Sequence, residues 1–173
     1  MTPTPPSHRH YNTYSGEMAR TLVSSGSEFE SAIGYSRAVI SGDWVFVSGC
    51  TGWASHWYDY ATNTISGDDV VSQAEQCMRN VAAALAEAGS AVDEVVRVRY
   101  ILPDRRDFPR IWPVLRRWFG DSRPAATMMQ AGLMNEEMRI EVEVTARKGS
   151  AVGKRDEDRG EANDTNVNLV REL

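Results

Sequence analysis

The chain has 173 residues, 42% apolar and 25% charged, with a net charge of −5, enough for one domain with a substantial core. Acidic residues spread along the chain disfavour a nucleic-acid backbone as principal partner, since phosphate binding needs a concentrated basic face. No apolar run approaches the roughly 18 residues of a membrane span, the amino-terminal MTPTPPSHRHYNTYSG lacks the apolar core of a signal peptide, and two cysteines fit a reducing, cytoplasmic compartment rather than a disulfide scaffold.

Residues 1–17 are polar and proline-rich, and residues 149–173 are charged with few large apolar groups. Such segments cannot bury enough apolar area to offset chain entropy and are expected to be disordered tails. One folded domain is left over residues 18–148. In it RTLVSS (20–25) reads as a short first strand. YSRAVI (35–40) and WVFVSG (44–49) read as two more, joined by the turn Ser41-Gly42-Asp43. An irregular aromatic stretch over 51–67 follows. Residues 70–88 predict a helix: Val70, Ala74, Cys77, Met78, Val81, Leu85 and Ala88 recur at three and four, with Asp68 or Asp69 as N-cap and Gly89 closing the end. Cys77 lies on that apolar stripe and reads as packing. A strand over Val95–Leu102 precedes a second helix over 107–120, with Phe108, Ile111, Leu115 and Trp118 or Phe119 facing inward. Pro109 suits its first turn, whereas Pro113 predicts a bend or a delayed start. Strands follow at 127–131 and 139–147. In RIEVEVTAR, Ile140, Val142 and Val144 share one face, and Glu141, Glu143 and Thr145 the other.

The order β-β-β-α-β-α-β-β is that of an α+β domain, a mixed sheet with two helices on one face. The uncovered face carries Glu141 and Glu143 with Arg97 and Arg99; such a face is either polar and solvated or buried by another copy of the chain, which makes it a candidate oligomer contact. The three histidines, His8, His10 and His56, form no ligand cluster, and no metal or cofactor is expected. Basic residues gather between Arg97 and Arg123, and they read as a solvated face in preference to a nucleic-acid site.

The stretches AIGYSRAV, GDWVFVSG, QAEQCMRNVAAALAEAG, DEVVRVRYIL, DFPRIWPVLRRWFG, RPAAT and RIEVEVTA occur in this order and spacing. Together they resemble the RidA family (YjgF/YER057c/UK114, older label endoribonuclease L-PSP) over about residues 32 to 147. The resemblance implies a chorismate-mutase-like fold and a homotrimer with ligand clefts between subunits. It also implies hydrolysis of reactive enamines and imines, such as 2-aminoacrylate, to the keto acid and ammonia.

Position by position, the match is mixed. Tyr35 matches the family's cleft tyrosine, although the usual proline before it is absent and Gly34 precedes it. Ser48 matches the cleft serine, and Glu141 the glutamate that positions a water. Cys50 stands where many members have glutamine, and Trp112 where deaminating members have asparagine. Ala126 stands where those members have the arginine that clamps the substrate carboxylate. Alanine cannot make that bidentate, charge-assisted pair. Arg123 lies three residues earlier, an odd offset that reverses side-chain direction along an extended chain.

The loop CTGWASHWYDYAT adds Trp53, His56, Trp57, Tyr58 and Tyr60, which either pack over the domain or line a cleft. The expected function is therefore a RidA-like enzyme acting on an imine, an enamine or a related apolar or aromatic small molecule. Glu141, Ser48 and Tyr35 are its candidate catalytic residues. Cys50, Trp112, Ala126, Arg123, Trp53 and His56 are its candidate substrate contacts. Ser48 has no histidine and aspartate arranged to make it a triad nucleophile. A non-catalytic trimer that binds a metabolite or a protein is the alternative, and RNA cleavage is a weaker third.

Overall fold

A computed structural model describes residues 19–53 and 65–151. Its strands are β1 Thr21–Val23, β2 Ala38–Ser41, β3 Trp44–Thr51, β4 Val95–Leu102, β5 Ala125–Gln130 and β6 Glu141–Arg147. They form one sheet in the order β1-β2-β3-β6-β4-β5. Neighbours run antiparallel except β4 and β5, which are parallel. The β2–β3 hairpin closes through Gly42 and Asp43, because Ser41 pairs with Trp44. Gly42 has φ 58°, the left-handed conformation that a two-residue hairpin loop demands.

The expected alternation in β6 is present: Val142, Val144 and Ala146 are buried and the residues between them are not. Val98, Tyr100 and Leu102 of β4 and Val45 and Val47 of β3 share that buried face. Over it lie the helices α2 (Val70–Glu87) and α3 (Phe108–Phe119). The carboxylate of Asp69 accepts from the amides of Val71 and Ser72 at 2.8 and 3.1 Å and starts α2. The stripe foreseen for α2 is buried, Cys77 and Met78 included.

Three features differ from the sequence expectation. A six-residue helix, α1 (Glu28–Ile33), stands between β1 and β2. It is too short to show a periodicity and depends on local chemistry. The Ser27 hydroxyl caps it, Gly34 ends it with φ 76°, and buried Glu30 accepts from the amide and hydroxyl of Ser25 at 2.8 and 2.6 Å. Second, α3 begins on time and contains Pro113. The carbonyl that Pro113 leaves without its i→i−4 donor is that of Pro109, an exposed residue of the first turn. Third, β5 starts at Ala125, two residues before the expected 127, so Ala126 lies inside the strand.

The sheet face away from α2 and α3 is mixed. Trp44, Phe46 and Met129 are each more than two-fifths exposed, beside an ion pair between Arg99 and Glu143. No helix among the described residues is long and apolar enough to cross a membrane.

Candidate active site

Val47 pairs with Val144 and Cys50 with Val142, so β3 holds one residue more than β6 between these partners and bulges at Ser48 and Gly49. The bulge makes a notch, and Glu141 fills it. A Cβ placed on Gly49 would fall 1.8 Å from Glu141 Oε1 and 2.6 Å from its Cδ. Only glycine lets that carboxylate lie against the main chain there.

Around the notch the polar groups are tied down. The Ser48 hydroxyl donates to the Ser36 carbonyl at 2.8 Å, and the Ser48 amide to the Arg37 carbonyl at 3.0 Å. Arg37, only 7% exposed, donates from Nη1 to the Gly49 carbonyl at 2.9 Å and to Cys50 Sγ at 3.6 Å. Its guanidinium lies 5.9 Å from the centroid of the Tyr35 ring. Tyr35 is placed by the end of α1, where its amide donates to the Glu30 carbonyl at 3.1 Å.

The electrostatics follow from this burial. Desolvation raises the Glu141 carboxyl above the usual carboxylate range and Glu143 adds to the rise, while Arg37 opposes it. Burial likewise pushes the Cys50 and Cys77 thiols up, so neither is a ready thiolate at neutral pH. Cys50 also donates its own S–H to the Ser48 carbonyl at 3.4 Å.

Because the folded-state value of Glu141 is raised, its ionised form costs stability above that value, and the cost vanishes below the unfolded value. Glu141→Gln should therefore leave the chain as stable as wild type or slightly more stable at pH 7, by about 0–1 kcal/mol. The difference should disappear as pH falls through the carboxylate range. Thermal melts of both proteins across pH measure this, and a loss above about 1 kcal/mol at pH 7 would mark Glu141 as a structural partner.

The other candidate residues lie elsewhere in the chain. Ala126 pairs with Val98 and shares the helix-side face, whereas Glu141 pairs with Ile101 on the opposite face. Three residues along the strands and two strands across put them about 14 Å apart. Trp112, 51% exposed on α3, meets Phe108 edge-on at 5.9 Å and also lies on the helix side. Arg123 is not extended: it takes φ 43° and returns to α3, its amide on the Phe119 carbonyl at 2.9 Å and its Nε on the Gly120 carbonyl at 3.3 Å. The parity reasoning for its side chain therefore does not apply. Trp53 is buried just past β3, and its carbonyl accepts from Asn80 Nδ2 at 3.0 Å. His56, with Trp57, Tyr58 and Tyr60, lies outside the described residues, as do His8 and His10.

The family model for Endoribonuclease L-PSP matches residues 25–148. The chain belongs to the RidA family. A solved Mycobacterium tuberculosis member of the YjgF/YER057c/UK114 family is 38% identical with a TM-score of 0.65, covering 74% of this chain and 98% of that one. A RutC family protein of Pyrococcus abyssi is 32% identical over 114 residues, 66% of this chain and 86% of its own. The mouse protein named 2-iminobutanoate/2-iminopropanoate deaminase is 29% identical over 128 residues, 73% of this chain and 91% of its own.

In this RidA-family chain the structure thus forms two groups. Tyr35, Ser48 and Glu141 gather at the β3 bulge; Cys50, opposite Val142, packs beside it in the core rather than lining the notch, and Trp112 and Ala126 lie on the helix side. Two further residues at the bulge were missed from sequence, Arg37 and Gly49. Arg37 offered a signal, a lone cation at the head of an apolar strand run. Gly49 offered none beyond its place in VSG.

Proposed function

We propose that this protein hydrolyses imines or enamines of apolar or aromatic, carboxylate-poor small molecules, in a cleft between subunits of a homotrimer. The observation that carries the reading is the Glu141 carboxylate, partly desolvated and seated in the Gly49 notch. A carboxyl whose proton affinity burial has raised can both take and return a proton. Water adds to the carbon of the protonated imine as Glu141 accepts a water proton, giving a neutral carbinolamine. Glu141 then returns that proton to the nitrogen and takes the hydroxyl proton as the C–N bond breaks, so that a carbonyl compound and ammonia leave and the last proton passes from Glu141 to solvent. Tyr35 and Ser48 border the notch and orient the substrate. The name of the mouse relative supports imine chemistry at the level of the family.

The substrate preference follows from position 126. Without an arginine there, and with Arg123 turned back onto α3, a substrate carboxylate lacks its clamp, while Trp112 offers apolar area. Imines generated in place by oxidases make the test: 2-iminopropanoate from alanine, and the aromatic imine from benzylamine. Faster ammonia release is expected from the aromatic imine. Preference for the carboxylated one would overturn the proposed substrate class, and acceleration of neither would favour a binding protein.

An intersubunit cleft is implied by the family resemblance and supported by the exposed rings of Trp44 and Phe46 on the sheet face away from α2 and α3. Light scattering should give about three chain masses. Phe46→Glu, which puts a charge on the uncovered face, should reduce this to one, and a wild-type monomer would end the proposal.

A further inference from the structure

We propose that Arg37 is the positioning residue for Glu141: it grips the Ser48–Cys50 bulge that forms the notch and sets the charge seen by the carboxylate lying there. The inference rests on reading Glu141 as the acid–base group. Arg37 holds the bulge twice, through its carbonyl to the Ser48 amide at 3.0 Å and through Nη1 to the Gly49 carbonyl at 2.9 Å. The carboxylate lies against the same residue, Gly49, where a Cβ would stand 1.8 Å from Oε1. A cation and an anion thus share one peptide segment as their common support.

The Arg37 guanidinium brings to the bulge a positive charge as well as a donor, and Glu141 is one of the groups that feel it. The groups acting on Glu141 are Glu143 on β6, itself paired with Arg99 of β4, the neutral thiols of Cys50 on β3 and Cys77 on α2, and Arg37 ahead of β2. Burial and Glu143 favour the protonated form, and among the described residues Arg37 is the cation that opposes them. Its effect is to favour the ionised carboxylate against burial and Glu143, which together keep the value raised.

Carbon-13 NMR of labelled glutamate carboxyls, with Glu141 assigned by its absence in Glu141→Gln, reads the titration directly. Arg37→Gln keeps an amide donor but no charge, and its Glu141 midpoint should move to higher pH. Arg37→Lys should return the midpoint close to wild type. Arg37→Met is the second neutral variant should the first fail to fold. The acid limb of the imine-hydrolysis profile should move in the same direction, with turnover recovering as pH rises. An unchanged midpoint in both neutral variants would overturn the role given to Arg37. Absence of imine hydrolysis in wild type would instead remove the functional reading, and the titration would still decide whether Arg37 governs the carboxylate.

Discussion

Gly49→Ala should abolish most of the proposed imine hydrolysis while leaving the chain folded. The added methyl would stand 1.8 Å from Glu141 Oε1 and 2.6 Å from Cδ. These atoms end a flexible side chain, so the collision is relieved by swinging the carboxylate out of the notch rather than by moving the sheet. Misplacing a catalytic group by an ångström or more costs on the order of 100-fold in rate. Stability should fall by no more than about 1–2 kcal/mol, since no core side chain is displaced. Turnover and thermal melts on the same preparation check both halves. Full activity would show that the notch is not where the carboxylate works. Global unfolding would show that Gly49 serves the fold and not the site.

Gln73→Leu should produce the largest loss of stability of any polar substitution considered. Gln73 is fully buried on α2, with its amide group between two loops. Nε2 donates to the carbonyls of Gly67 at 3.0 Å and Glu137 at 2.9 Å, and Oε1 accepts from the Arg139 amide at 2.8 Å. Leucine keeps the volume and strands three main-chain groups. At about 1 kcal/mol or more for each buried group left without a partner, the loss is about 3 kcal/mol. That corresponds to a fall in Tm of roughly 10 °C for a domain of this size. Arg139 stands two residues before Glu141, so activity should fall along with stability. Denaturant melts at fixed pH measure the loss, and a change below about 1 kcal/mol would mean that the segment 137–139 is held by other contacts.

These two residues also show how far the sequence could be read. The helix α2 and the alternation of β6 were legible because their apolar residues recur with periods of 3.6 and 2 over many positions. Gln73 and Asn80 were not, because a polar residue on a buried face looks like an error until its partners are known. Asn80 Nδ2 meets the Thr51 and Trp53 carbonyls at 3.1 and 3.0 Å, a pairing across more than 25 positions that no local pattern announces. The helix α1 escaped for the opposite reason, being shorter than any periodicity.

At the site, the family resemblance gathered Tyr35, Ser48, Cys50 and Glu141; the fold sets Tyr35, Ser48 and Glu141 around the bulge and Cys50 beside it in the core. It could not say that Ala126 and Trp112 face the other side of the sheet, because side-chain direction depends on strand register. Nor could it show that Arg123 turns back onto α3, since an arginine with positive φ carries no signature in sequence.

The most direct measurement is ammonia release from the benzylamine-derived imine by wild type and Glu141→Gln, at equal protein concentration and across pH. Wild type should accelerate release, with activity lost on the acid side through a midpoint above the ordinary carboxylate range, as expected for a base whose carboxyl burial has raised. Glu141→Gln, folded and at least as stable, should fall at least about 100-fold, the lower end of the usual range for removing an acid–base group. Equal rates for the two proteins would contradict a catalytic role for Glu141.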